Sequence, residues 1–121
     1  MSLQYNKSIT LTLPKPPSLN MIYAGKHWTY RKKKKDEYKQ ICLEALDNYD
    51  KITCKAFRLD IRYNARFDID NGILVSKFLA DTLVDWGMVK DDSPEFYDQV
   101  KITFDPKVKR DTYKVKIKYY E

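Results

Sequence analysis

Apolar and polar residues alternate with period two in four stretches of the chain and recur with helical spacing in two others. In 8–13, Ile9, Leu11 and Leu13 share one side of a strand. Pro14, Pro16 and Pro17 then stop the ladder, because proline has no N–H to donate. Over about 29–49, Tyr38, Ile41, Cys42, Ala45, Leu46 and Tyr49 fall on one helical face, with Thr29 placed as N-cap. In 55–63, Phe57, Leu59, Ile61 and Tyr63 alternate with Arg58, Asp60 and Arg62, the pattern of a half-buried strand with a charged open face. A second helix is predicted from about 71 to 86, with Val75, Phe78, Leu79, Thr82, Leu83 and Trp86 on its buried side and Gly87 as C′ residue. Two further strands follow: Val100, Ile102 and Phe104 alternate with Gln99, Lys101 and Thr103, and Tyr113, Val115, Ile117 and Tyr119 with Lys114, Lys116 and Lys118. The polar stretch 105–111 between them predicts a hairpin.

These elements give the order β-α-β-α-β-β. The expected fold is α/β (α+β), with a mixed sheet and two main helices packed on it. At 121 residues, 1–121 is expected to be a single domain. No run of apolar residues is long enough for a membrane span, and the N-terminus lacks a signal-peptide pattern. Cys42 and Cys54 form neither a C-x-x-C pair nor a disulfide framework, so a cytoplasmic setting is expected.

Charge changes the picture. The net +6 divides unevenly along the chain. Residues 1–66 carry 14 Lys and Arg against 6 Asp and Glu, a net +8; residues 67–98 carry 2 against 8, a net −6; residues 99–121 carry 7 against 3, a net +4. A basic frame attracts phosphates, and an acidic patch within it can hold the cations that shield them. Solvated charged faces account for the same composition equally well. The run Arg31-Lys32-Lys33-Lys34-Lys35 opens the first helix, where anions are favoured by roughly 0.3–1 kcal/mol each. A bound phosphate backbone would relieve that placement. The loop before it brings Lys26, His27, Trp28 and Tyr30 together. Such a mixture can hold a backbone and stack on bases, although a loop anchored to the core by Trp28 is the slightly favoured reading.

The candidate chemistry lies at the two ends of the second helix. Asp68 and Asp70 are two apart, so an extended backbone points both the same way, toward one hard cation. Asp91 and Asp92 lie beyond the helix. As neighbours they point oppositely, so one of the two is expected to join the site, provided the chain folds back to the helix start. Positions 70, 74, 77 and 81 share a helical face, which puts Asp70, Lys77 and Asp81 beside Leu74. Lys77 can pair with a carboxylate or steady charge developing on phosphorus. Asp81 and Asp85 read as surface residues. Against a metal site stand simpler roles: Asp70 or Asn71 as a helix cap, and 91–94 as a turn. An EF-hand is excluded, since Ile73 and Leu79 occupy its invariant Gly and terminal Glu positions. No His/Cys cluster suits zinc, and no glycine-rich phosphate loop is present, so no nucleotide cofactor is expected.

The series Pro16-Pro17-Ser18-x-Asn20, Arg66-x-Asp68-x-Asp70-Asn71, Lys77-x-x-x-Asp81-x-Leu83 and Gly87-x-x-x-Asp91-Asp92-Ser93 resembles the RusA family of Holliday junction resolvases, phage- and prophage-associated endodeoxyribonucleases. The likeness runs from the first strand to about Asp92. It implies catalytic roles for Asp68, Asp70, Asp92 and Lys77, and metal ligation by Asp68, Asp70, Asp92 and more weakly Asp91. It further implies Mg2+ or Mn2+ as cofactor, a homodimer, and branched DNA as partner, with paired symmetric nicks leaving 5′-phosphate and 3′-hydroxyl ends. Phosphate contacts are expected from Lys15, Asn20, Lys26, Arg31, Lys32, Lys33, Lys34, Lys35, Arg62 and Arg66, and from the basic segments 55–66 and 107–118. Relative to the resolvase pattern, about three residues are inserted between Asn71 and Lys77. If they lengthen the helix, Lys77 keeps its facing and moves along the axis by about 4–5 Å. If they lengthen the loop, Lys77 stays close to the aspartates. Two other functions compete: a non-catalytic nucleic-acid-binding module, and a nuclease for other branched or flapped DNA.

Overall fold

The last strand of the fold lies between the first two. The computed structural model describes Tyr5 and residues 7–17, 28–66 and 69–120, with the side chains of Ile69 and Asp70 left out. Its elements are β1 (Lys7–Pro14), α1 (Trp28–Leu46), β2 (Ala56–Asn64), α2 (Ile69–Trp86), β3 (Tyr97–Phe104) and β4 (Thr112–Tyr120), in a four-stranded sheet of order β1-β4-β2-β3. β4 pairs antiparallel with both β1 and β2, whereas β2 and β3 are parallel. The fold is therefore a single α+β domain with a mixed sheet, in the order β-α-β-α-β-β.

The predicted hairpin is not formed, because β3 and β4 are separated by β2. Burial decides the placement. Tyr113, Val115 and Ile117 of β4 are fully buried, so β4 needs neighbours on both sides. On β3, Val100 and Phe104 stay 40% and 54% exposed, which suits an edge. The connecting segment crosses the end of β2 and is pinned there. Asp105 N–H donates to the Tyr63 carbonyl (2.8 Å), Asn64 Nδ2 to the Val108 carbonyl (2.9 Å), and Asp111 N–H to the Asn64 carbonyl. Asp111 itself takes a positive φ of 61°.

β1, β2 and β3 run the same way, so both helical crossovers step in one direction across the sheet. Crossovers of uniform hand put both helices on one face. Ile9, Leu11, Leu13, Phe57, Leu59, Ile61, Tyr113, Val115 and Ile117 point into that layer. α1 contributes a narrow line at every fourth residue, Tyr38, Cys42 and Leu46. Ile41 and Tyr49, expected on the same face, are more than a third exposed, although Tyr49 Oη donates to the Thr10 carbonyl at 2.7 Å. α2 buries a broader surface: Leu74, Val75, Phe78, Leu79, Leu83 and Trp86. Each such side chain contributes roughly 1.5–3 kcal/mol when fully buried.

Two helix starts differ from expectation. α1 begins at Trp28, so Thr29 lies inside its first turn rather than capping it. Trp28 is 59% exposed and is not a core residue; the loop before it lies outside the described residues. α2 is helical from Ile69 and continuous to Trp86, so the residues between Asn71 and Lys77 are helix and not loop. Gly72 stands near the start of α2, where a Cβ would come within 2.6 Å of Ile102 Cγ2, so this end of the helix lies hard against β3. At the other end Gly87 takes φ +89° and closes the helix as expected.

Candidate metal and phosphate cleft

The chain after α2 is drawn back beside β2. Met88 and Val89 are buried, Cys54 N–H donates to the Met88 carbonyl (2.9 Å), and Phe57 N–H donates to the Phe96 carbonyl (2.8 Å). A turn at Ser93, whose carbonyl accepts from Phe96 and Tyr97, starts β3. Tyr97 then stacks on Phe57 with ring centroids 4.7 Å apart. This fixes the segment that carries Asp91 and Asp92.

The two aspartates part company. Asp91 Oδ1 accepts the Asp92 N–H at 2.7 Å, whereas Asp92 lines a cleft of about 390 Å³ between α1, α2 and the start of β3. Lys77 and Asp81 of α2 enter the same cleft, with Lys35 and Lys39 of α1 opposite. Asp81 is exposed at the cleft's mouth, but partial loss of water around it raises its carboxyl above the ordinary value; Lys39 pulls it down, while the charge and hydrogen bond of Asp92 push it further up. Lys39 Nζ holds Asp85 Oδ2 at 3.0 Å, and that hydrogen bond raises the lysine. Tyr97 is raised by burial, opposed by a hydrogen bond with Ser76 and assisted by Asp92.

The sequence-predicted residues are thus divided. Lys77, Asp81 and Asp92 meet; Asp91 does not line the cleft. Asp68 lies outside the described residues, as do Asn20 and Lys26. Asp70 is the second residue of α2, preceding Lys77 by about 10 Å and Asp81 by about 16 Å of axial rise. Lys77 and Asp81 are exposed while Leu74 turns into the core, so the shared face ends short of Leu74. Asp81 is the residue that sequence reasoning underrated. Its signal was the helical phase with Lys77, four residues earlier.

Among the described residues no group of three or more His, Cys, Asp or Glu is arranged to hold a metal ion. Asp81 and Asp92 form a pair. Mg2+ is commonly bound by one or two carboxylates together with substrate phosphates and waters, and two carboxylates crowded in a cleft favour a shared cation. The donor set fits a hard divalent ion.

The basic candidates take different positions. At the start of α1, Lys32 Nζ holds Asp36 Oδ2 at 2.6 Å and Lys34 Nζ stands 3.6 Å from Glu37 Oε2, partly offsetting the like charges there. Arg31 is half-buried, with its Nε shielded and without a hydrogen-bond partner among the described residues. Lys33 is exposed, and Lys35 lines the cleft. Lys15 faces Asp111 at 3.9 Å, and Arg66 is exposed just after β2. Arg62 points to the opposite side of the sheet, 3.6 Å from Asp105. No helix among the described residues is long and apolar enough to cross a membrane. No protein-family model matches the chain, and no curated protein matches it either.

Proposed function

We propose that this protein is a divalent-metal-dependent endodeoxyribonuclease of the RusA type, resolving four-way DNA junctions in the cytoplasm. One observation carries the reading: Lys77, Asp81 and Asp92, from two separate elements, converge on one cleft walled by Lys35 and Lys39. Asp81 and Asp92 would hold Mg2+ or Mn2+. When bound, the ion supplies a water acidic enough to act near neutral pH and an electrophile for the phosphate oxygens. The chain's own contributions are distinct. Lys35 and Lys39 draw the phosphate backbone to the cleft, and Lys77 faces the phosphate undergoing attack, where an added positive charge favours the transition state.

A homodimer would present two such clefts to opposed strands. The β3 edge, with exposed Val100 and Phe104 beside a 45% exposed Ile73 on α2, offers apolar surface for such pairing.

The reading is tested with a labelled synthetic four-way junction, a linear duplex and a flap, each with and without Mg2+, for the wild type, Asp81→Asn and Asp92→Asn. Symmetric junction nicks that need metal and disappear in the variants are expected. Junction that is bound but uncut with every metal tried makes the protein a non-catalytic binding module. Preferential cutting of the flap moves it to another branched substrate.

A further inference from the structure

The face of the sheet turned away from the helices has a chemistry of its own. β4 directs Lys114, Lys116 and Lys118 outward from alternate positions, between the buried Tyr113, Val115, Ile117 and Tyr119. Register sets Lys114 opposite Arg62, Lys116 opposite Asp60 and Lys118 opposite Arg58 on β2. Beyond them Lys101 of β3 lies opposite Asp60. On the other flank Ser8, Thr10 and Thr12 of β1 complete the rows. Segments far apart in sequence, 58–62, 101 and 114–118, thus form one continuous basic surface.

Its charge is only partly met from within. Arg58 is gripped by Asp98 (2.9 Å), Lys118 reaches Asp60 at 3.8 Å, and Arg62 reaches Asp105 at 3.6 Å. Lys101, Lys114 and Lys116 have no carboxylate partner among the described residues. Two cross-strand pairs, Lys114 with Arg62 and Lys118 with Arg58, set like charges directly opposite, an arrangement that destabilises a sheet. Such a face is stabilised by an external polyanion. Lysine rows along β4 repeat at about 6.8 Å, twice the roughly 3.4 Å rise per nucleotide of one DNA strand.

The same face argues against other polyanionic surfaces. Among the described residues it carries no exposed large apolar side chain of the kind that enters a lipid interface. Its aromatic groups are already engaged: Tyr5 covers the Arg58 guanidinium at 4.2 Å and meets Tyr120 edge to face, so the lysine rows have no platform for unpaired bases.

We infer that the outer face of the sheet, centred on Lys114, Lys116 and Lys118, is a second binding surface for the phosphate backbone of duplex nucleic acid. It lies across the sheet from the metal and phosphate cleft and does not depend on it. The protein can therefore hold one duplex segment on each side of the sheet.

The test is fluorescence anisotropy of a labelled linear duplex in EDTA across a salt series, with melting temperature and sedimentation measured in parallel. Lys114→Gln combined with Lys116→Gln and Lys118→Gln is expected to melt like the wild type. It should bind at least about tenfold more weakly at low salt, with the log–log salt slope reduced by about 0.9 for each phosphate that is no longer neutralised. The corresponding triple Lys→Arg variant is expected to retain binding. A normally melting Gln variant with unchanged affinity and slope overturns the proposal. So does a Gln variant that alters only self-association, which would make the face a contact between copies. Stronger retention of the wild type on phosphatidylserine vesicles than on duplex would also overturn it. Because no metal is present, failure here leaves the cleavage assay untouched, and the reverse holds.

Discussion

Asp92, carried by the segment after α2, stands against Asp81 on the helix itself, eleven residues away in sequence, and the two carboxylates share a cleft with lysines of α1. If they hold the ion together, Asp81→Asn is expected to be as damaging as Asp92→Asn, lowering the metal-dependent cleavage rate by about 10²–10³-fold. Asp85→Asn, which gives up only an exposed ion pair with Lys39, should stay within a few fold of wild type. Single-turnover rates at saturating Mg2+ check this. An Asp81→Asn protein that cuts at the normal rate removes Asp81 from the site.

Two buried tyrosines are expected to respond oppositely to loss of their hydroxyls. Tyr38 Oη donates to the Pro14 carbonyl at 2.9 Å, so Tyr38→Phe should cost about 1 kcal/mol. The Tyr113 hydroxyl is buried without a partner among the described residues, and burial pushes its pKa up to about 12. Tyr113→Phe keeps the ring stacked on Tyr63 (5.4 Å) and removes the orphan. It should be neutral or stabilising by up to about 1 kcal/mol. Urea unfolding of the two variants decides the matter; a loss of stability in Tyr113→Phe would point to an unseen partner for that hydroxyl.

Gly72 makes a conditional prediction. Alanine normally stabilises a helix over glycine by about 0.8–1.0 kcal/mol. Here the added Cβ meets Ile102 Cγ2 at 2.6 Å, so Gly72→Ala should give no gain or a loss. In an Ile102→Ala background the obstacle is gone and the helix preference should reappear. A double-mutant cycle measures the difference. Equal effects of Gly72→Ala in both backgrounds would show that α2 can shift away from β3 at no cost.

The Arg58–Asp98 pair ties β2 to β3 and gives a pH dependence. The hydrogen bond and charge of Arg58 hold the Asp98 carboxyl below its ordinary value. A depressed carboxylate contributes stability that is complete above its unfolded pKa of about 3.9 and is lost as pH falls through the lower folded value. The melting temperature of wild type should therefore exceed that of Asp98→Asn at pH 7. The difference should shrink below about pH 4 and shrink also with added salt. A difference constant down to pH 2 would assign the effect to packing instead.

The elements were legible because each strand and helix carries its own period. Phe57, Leu59, Ile61 and Tyr63 alternate without a break, and α2 buries nearly the set its spacing predicts. Strand order was not legible, since pairing is settled by competition for burial. β4 wins the centre because both its neighbours cover Tyr113, Val115 and Ile117, and a short polar linker says nothing about which strand it crosses. The cleft was legible in part. Lys77 and Asp92 were singled out by residue type and phase, but Asp81 looked like any solvated helical acid until the chain after Gly87 returned beside it. The close approach of Gly72 to Ile102 is likewise a tertiary contact, which no local pattern encodes.

The position of β4 bears on how the chain acquires its structure during synthesis. β1 and β2 have no hydrogen bonds to each other; every ladder between them passes through β4. A nascent chain that has emerged only through β3 can pair β2 with β3, but leaves β1 without a partner and the inner edge of β2 open. Both antiparallel ladders of the sheet then form late, which slows folding and leaves unpaired strand edges exposed on the way. Removing β4 should therefore leave β1 unpaired and reduce the sheet to the β2–β3 ladder.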